Sequence, residues 1–521
     1  MNLINDAWIP VRRADGTTEK IEPWRLTDHI GTGKSPIAAV ASPRPDFDGA
    51  LTQFLIGLLQ TTCTPETEAA WWEWRKTPPA PDLLSKRFTA VTNAFELMGN
   101  KAFMQDATPA DLETEQVIAA LLMESPGEHT LKQNKDHFIK RGIVHQLCTD
   151  CVATALYSMQ TNAPSGGQGH RTGLRGGGPL TTLVLGTDLW ETCWLNVLEK
   201  NRYIGGVRAE NNLPVDRFPW LAATRTSAAK SPAGLTTSID VHPDQQYWAM
   251  PRRIRLVCQQ IDIPEPCDIC GASVVQVFRS FFTRNYGVNY QGFEHPLSPH
   301  YVKDGIVSPV HPQPGGVGYR HWLGLIENSV DGNDERRPAR VIQQFHQTHE
   351  DGRLWAFGYD MDNMKARCWY DAMMPILVID EGLESAFKMY VERMVQAANL
   401  TVRLLRKQFK QALFGDADVR GDLGFVESHF WSATENRFFE QVRQLRSTIK
   451  QSNGEYPVLE SWLSALKHTA FIVFDTYSQT GDFDATDPRR VALARNELAR
   501  SLNGKKLRDL LGLPRQDRSA A

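Results

Sequence analysis

The chain has 521 residues, 41% of them hydrophobic and 22% charged, and a formal net charge of −3. That length exceeds what one hydrophobic core serves, so two or three folded domains are expected. The slight negative charge excludes a globally basic, histone-like binder but leaves room for a local cationic groove. No apolar run reaches membrane-spanning length, which predicts no transmembrane segment. Asp6 stands where a secretory leader needs an apolar core, so the expected location is the cytoplasm, where the cysteines stay reduced.

In chain order, residues Leu3 to Arg12 read as a short strand. Gly31-Thr-Gly33-Lys34-Ser35 resembles the tail of a phosphate-binding loop. Asp28 stands where that motif needs its first glycine, so we read a turn before a helix instead. Asp48 to Gln60 sets Leu51, Phe54, Leu55, Leu58 and Leu59 on one helical face. A second helix is expected over Glu66 to Trp74, with Trp71, Trp72 and Trp74 as core or interface residues. A third is expected over Asp111 to Met123. Helices broken by polar loops predict an irregular α+β domain rather than a doubly wound sheet.

Residues Asn134 to Gly178 hold three devices in close succession. A polar loop sets Phe138 among Lys135, His137, Lys140 and Arg141. The pair Cys148-x-x-Cys151 follows, then a helix over Cys151 to Met159. Last comes PSGGQGHRTGLRGGG, with seven glycines, His170, Arg171 and Arg175. Aromatic, cationic and bare-backbone surface in close sequence is what contact with nucleic acid needs. A strand is expected over Thr181 to Leu185, and a loop-rich stretch from Lys200 to Met250. Strands over Arg253–Val257 and Val274–Phe282 flank Cys267-x-x-Cys270. Gly287 to Gly318 reads as irregular, and Asp362 to Ala366 as a turn.

After Pro375 the pattern changes. Glu384–Leu413, Trp431–Lys450, Pro457–Tyr477 and Arg489–Leu510 repeat apolar residues at three and four. The expected architecture is therefore α+β, with a large irregular mixed N-terminal domain (1–375) followed by a C-terminal four-helix bundle (376–521). Arg403, Arg406, Lys407 and Lys410 share one helix face, which reads as a solvated face or as a track for a DNA strand.

The two C-x-x-C pairs each offer two thiolates from one tight turn, so together they supply the four soft ligands of a structural zinc. Cys258 is a spare candidate. The bland alternative is two unrelated pairs of buried or redox thiols. An enzyme reading, such as a metal-dependent nuclease, lacks support. Asp360 and Asp362 sit in a turn signal, and His300 and Asp304 have no helical pattern to aim them at one metal. His295, His300 and His311 read as structural histidines, and no G-x-S-x-G occurs. We expect a non-enzyme; a scaffold that binds only proteins is the other alternative.

The opening NLINDAWIPV, Phe103-Met-Gln105, the first cysteine pair and PSGGQGHRTGLRGGGPLTT resemble the CasA large subunit of type I-E Cascade, the RNA-guided surveillance complex of bacterial CRISPR immunity. The resemblance implies a non-catalytic subunit that reads a short motif in double-stranded target DNA and helps open the duplex. It implies as partners the guide RNA, the other Cascade subunits and a helicase–nuclease that degrades the target. The DNA-contacting residues it implies are Phe138, with Lys140 and Arg141, and the glycine loop Ser165, Gly166, Gly167, Gln168 and Gly169. It adds a basic side chain matched by Arg284, with Arg279 second. It also implies a wedge in the turn, where Asn363 or Met364 would insert and Lys365 would hold a phosphate. A loop nearly free of Cβ atoms suits close approach to a narrow minor groove.

Overall fold

The structure is a computed structural model that describes residues 1–106, 114–125, 142–167, 169–204, 213–228, 234–331, 334–362, 365–419, 423–478 and 487–514. Phe138, Lys140, Arg141, Gln168, Asn363 and Met364 lie outside the described residues. The fold is α+β and separates into two compact units. One comprises Met1–Gln313 with Gly324–Met373, the other Pro314–Leu323 with Met374–Ala521. No helix among the described residues is long and apolar enough to cross a membrane.

The larger unit is built around helix α1 (Pro45–Thr62). Its apolar residues predict one inward face, yet it is buried on nearly every side, with Gln53 and Gln60 among the covered residues. Its Phe54 ring lies 5.3–6.0 Å from those of Trp8, Phe95, Phe103, Tyr157 and Trp248, each contact edge-on. Edge-to-face packing aligns the positive ring edge with the negative face of its neighbour. The NLINDAWIPV opening serves this core. Asn2 Oδ1 accepts the Ile4 and Asn5 amides, and Trp8 Nε1 donates to Leu3 O. Helix α2 (Glu68–Lys76) is capped by Thr67, whose side chain accepts from the Ala70 amide, and buries Trp71.

Three antiparallel strands, β1 (Ile9–Arg13), β2 (Thr18–Ile21) and β3 (Ile37–Val40), open the chain in the order β2-β1-β3. The glycine-lysine-serine turn therefore precedes a strand, not the expected helix; the Arg13 guanidinium donates to Ser35 O at 2.9 Å and ties the turn to β1. A second sheet has the order β4-β7-β6, from β4 (Thr114–Val117), β6 (Arg253–Pro266) and β7 (Ser273–Arg284). Here the expected third helix gives way to strand β4 and a short 3₁₀ turn at Ile118–Leu121. Pairing of Thr114–Val117 with Ser280–Thr283 satisfies the backbone, and the 3₁₀ turn still buries Ile118 and Leu121. Tertiary pairing outweighs local propensity there.

The third sheet joins β5 (Thr181–Leu185) to the long strands β12 (Gly352–Asp362) and β13 (Lys365–Ile376), in the order β13-β12-β5. The stretch expected to be irregular contains β8 (His300–Lys303) and β9 (Ile306–Pro309), which pair in a fourth sheet with β10 (Ser329–Asp331) and β11 (Asp334–Arg337). Helix α3 (Thr149–Asn162) runs from the first cysteine pair to the glycine loop.

The smaller unit holds α4 (Glu384–Phe414), α5 (Gly424–Thr448), α6 (Glu455–Ser478), α7 (Pro488–Leu502) and α8 (Lys505–Leu511). The single helix expected over Arg489–Leu510 is broken at Asn503-Gly504. The 31-residue α4 packs against all the others. Pro314–Leu323 belongs to this unit. Tyr319 stacks on Phe438 at 4.3 Å and bonds Thr434 Oγ1 at 2.9 Å, and Trp322 Nε1 donates to Pro375 O at 2.7 Å. The basic stripe on α4 is partly spent within the unit. Arg406 pairs with Glu427 and Lys410 donates to Val419 O, while Arg403 and Lys407 stay exposed.

In the larger unit Phe103-Met104-Gln105 leads into Asp106, which is fully buried and pairs with Arg253 of β6. Removing one partner strands a buried charge, which costs about 3–5 kcal/mol. Asp106→Ala is expected to lower the urea midpoint of the unfolding transition accordingly, whereas the exposed-pair variant Glu497→Ala (partner Arg500) should leave it within about 0.5 kcal/mol of wild type.

Candidate nucleic-acid interface and metal centre

The four cysteines come together. Cys148, Cys151, Cys267 and Cys270 place their sulfurs within 4.8 Å of one another, with Cys148 Sγ and Cys270 Sγ 3.6 Å apart. Tetrahedral coordination at about 2.3 Å sets sulfurs about 3.8 Å from each other, so the cluster fits a metal ion. Each knuckle follows from its local sequence. Cys148 is the N-cap of α3, and its sulfur accepts the Cys151 amide at 3.5 Å. Cys267 and Cys270 form the turn of the β6–β7 hairpin, where the Gly271 amide donates to Cys267 O at 2.8 Å.

Groups around the knuckles hold the two segments in register. Asp268 accepts the His145 and Gln146 amides at 2.6 and 2.8 Å. Leu147 and Phe278 exchange two backbone bonds. Arg279 donates to Gln146 Oε1 and Glu265, so this second candidate cation is engaged in the fold. Asp150 pairs with Lys20 at 2.5 Å. Hydrogen bonds with Cys148 and Cys151 lower the Cys267 thiol, and bonds with Cys148 and Cys267 push Cys151 up. Cys258, the spare candidate, is not part of the cluster.

The glycine segment starts where α3 ends. Ser165, Gly166 and Gly167 are exposed at its tip. Gly167 has φ +88°, with nothing within 4 Å of where a Cβ would stand. The flanks are tied down. Arg252 donates to Pro164 O, and Gln160 exchanges two bonds with the Arg252 backbone. Gly169 is buried, and its carbonyl accepts the Tyr286 amide at 2.7 Å. Arg171 bonds Ser227 Oγ and O at 2.7 and 2.9 Å and lies over the Tyr286 ring. Leu174 packs with Ala249, Val288, Tyr290 and Phe293. His170 is pulled below its ordinary range by burial and by Arg252.

Two hairpins meet this segment. At its start, a Cβ on Gly169 would lie 2.8 Å from Asn285 Cβ, directly after Arg284. Arg284 ends β7, half-buried. At its far end, a Cβ on Gly178 would lie 2.8 Å from Tyr359 of β12. Strand β12 ends at Asp362 and β13 begins at the exposed Lys365. The remaining implied residues lie outside the described ones, as stated. Asp360 and Asp362 both pair with Arg367, and His295 and His300 are buried, with burial as the largest cause pulling both below their ordinary range. The sequence reading missed Arg252 and Ser227. Neither lies in a motif, and only the Pro251-Arg-Arg253 approach to a strand hints at the first.

These features define a class: a mixed α+β unit with a four-thiol centre and a braced glycine loop, joined in one chain to a unit of long helices. The profile of the family described as CRISPR-associated protein Cse1 matches residues 2–472, and the chain belongs to that family. Solved structures agree in fold. The chain is 14% identical to Thermobifida fusca Cse1, covering 98% of each chain at a TM-score of 0.70. It is 17% identical to Thermus thermophilus CasA (Cse1), covering 96% of this chain and 99% of that one at 0.66. A chain of a structure described as a CRISPR RNA-guided surveillance complex matches at 16% identity and 0.65, over 97% and 99% of the two chains.

The tip and flank of the loop differ in what a methyl group would meet. Gly167→Ala adds only left-handed backbone strain, about 1–2 kcal/mol. Gly169→Ala adds the same strain and forces Asn285 aside. Amide hydrogen exchange at Tyr286, which donates to Gly169, is expected to accelerate in Gly169→Ala and to stay at the wild-type rate in Gly167→Ala.

Proposed function

We propose that this chain is the non-catalytic large subunit of an RNA-guided CRISPR surveillance complex. Its task is to read a short motif in duplex DNA, favour opening of the duplex beside it, and offer a docking surface to the target-degrading helicase–nuclease. Membership of the Cse1 family supports the assignment to such a complex, and one structural observation supports the reading task. The Ser165–Gly167 tip is exposed and bare of bulky side chains, yet is braced on both flanks. A bare tip lets backbone amides reach base edges in a narrow groove, and bracing removes the entropy cost of ordering it there.

The other roles fall on neighbouring residues. Arg284 sits beside the loop through Asn285 and Tyr286 and would supply the cation for the same groove. Lys365 would hold a phosphate where β13 begins, with Asn363 or Met364 as the wedge. Phe138, Lys140 and Arg141 would engage the duplex from the segment before the first cysteine pair, and Gln168 would complete the glycine loop. Sequence identity of the target would come from pairing to the guide RNA, not from this chain. Minor-groove reading is degenerate, so several related motifs would be accepted.

One observation favours a second reading, a scaffold that contacts only proteins. The cations of the glycine segment point into the fold: Arg171 bonds Ser227, and Arg175 is buried. A gel-shift titration separates the two. Guide-loaded complex with this chain is expected to bind motif-bearing duplex more tightly than motif-free duplex. Gly167→Asp should erase at least tenfold of that difference, and Arg284→Ala severalfold. An unchanged motif preference in both variants would leave the scaffold.

For the cysteine cluster the ion we propose is zinc, held by Cys148, Cys151, Cys267 and Cys270. A closed tetrathiolate supplies no open position for catalysis, only folding energy. Purified protein is expected to carry about one zinc per chain. Cys267→Ser should lose the metal and lower the unfolding temperature, and metal-free wild type with full stability would count against a zinc site.

A further inference from the structure

Arg175 is one of the most deeply enclosed charges among the described residues. It is 3% exposed, and burial pulls its guanidinium down to about 10. Its hydrogen bonds go to neutral oxygens: Thr181 Oγ1 at 2.9 Å, Ser298 Oγ at 3.0 Å and Gln53 Oε1 at 2.5 Å. No carboxylate among the described residues forms an ion pair with it, whereas the other two deeply buried arginines of this unit are paired, Arg13 with Glu19 and Asp28 and Arg253 with Asp106. Burying a cation without its counter-charge costs several kcal/mol, and neutral dipoles recover only part of that.

Beside Arg175 is a cavity of about 10 Å³, lined also by Gln53, Tyr157, Gln246, Tyr247 and His295. That volume admits one small particle, a water or a monatomic ion, and no polyatomic oxyanion. Tyr247, one of the lining residues, is 3% exposed, and its buried hydroxyl has no hydrogen-bond partner among the described residues. An unsatisfied buried hydroxyl is itself costly. The histidine is not a rival cation. His295 Nδ1 accepts the Leu297 amide and its other nitrogen faces Gln246 O, so the ring is neutral. Arg340, bonded to the Arg202 and Tyr203 carbonyls, adds positive field at the histidine.

We infer that this cavity is a binding site for a monatomic anion, chloride in ordinary salt, held by the charge of Arg175 and a hydrogen bond from Tyr247. A water would satisfy the hydroxyl but leave the guanidinium without a counter-charge; a halide does both. The site sits at the base of the glycine segment, since Arg175 belongs to that segment and Gln53 to α1. Occupancy therefore braces the loop against the core. Anion binding there is independent of DNA reading.

The experiment is thermal unfolding of the full chain in sodium chloride, sodium bromide and sodium gluconate at equal ionic strength. Gluconate cannot enter a cavity of that size. The unfolding temperature is expected to climb with the logarithm of halide concentration and to lie above the gluconate curve throughout. Tyr247→Phe keeps the ring and the packing but removes the donor, so it should shrink the halide–gluconate difference while remaining folded. A crystal grown in bromide should show an anomalous peak between Tyr247 and Arg175. Superimposed halide and gluconate curves, a halide effect equal in Tyr247→Phe and wild type, or ordinary water density without anomalous signal would each overturn the assignment.

Discussion

One helix and one hairpin meet twice, and the site depends on that double contact. At one end α3 begins at Cys148, whose sulfur lies against Cys270 in the turn of the β6–β7 hairpin. At its other end Gln160 exchanges bonds with Arg252, and Gly169 beyond it accepts from Tyr286, next to the open end of the same hairpin. Two rigid elements joined at both ends cannot rotate against each other. Backbone bonds of this kind contribute about 1 kcal/mol each, whereas a filled structural zinc centre contributes on the order of 10 kcal/mol. With the proposed zinc bound, the sulfur end would be the stronger clamp, and the loop end would inherit its precision.

That arrangement explains how a segment rich in glycine can hold a shape. A free chain of that composition loses much entropy on ordering. Here the cost is spread over anchors made by the rest of the unit: Arg252 on Pro164, Ser227 on Arg171, and the Gln53, Thr181 and Ser298 oxygens on Arg175. Cations that composition alone would assign to a ligand are struts. Among the described residues, what remains outside is backbone, Ser165 and part of the neighbouring Arg284, so the proposed contact with DNA rests on close approach more than on charge. This is consistent with a chain whose net charge is slightly negative.

The helical unit illustrates a different constraint. It recruits ten residues, Pro314–Leu323, from far upstream of its first helix. Tyr319 stacks on Phe438, and its hydroxyl bonds Thr434, itself buried on α5. Burying a tyrosine demands a partner for its oxygen, and Thr434 provides it. The core of this unit is thus completed by a segment that chain order assigns to the other unit.

Much was legible from local pattern. Periods of three and four marked α1 and the long C-terminal helices, because a helix's buried stripe is written in consecutive turns. The spacing of two cysteine pairs announced a four-thiol centre, because a knuckle is a local turn. Opening residues and the glycine segment carried the family resemblance. What only the tertiary structure decided is non-local. Strand β4 replaced an expected helix because β7 offered it a partner from far along the chain, Thr114 facing Thr283 as Val117 faces Ser280. Arg171, Arg175 and Arg252 turned inward because oxygens from distant segments lay within reach, and Arg284 was left at the edge. A sequence determines which residues can bond; which of them do is settled when the chain closes on itself and each buried charge must find an oxygen.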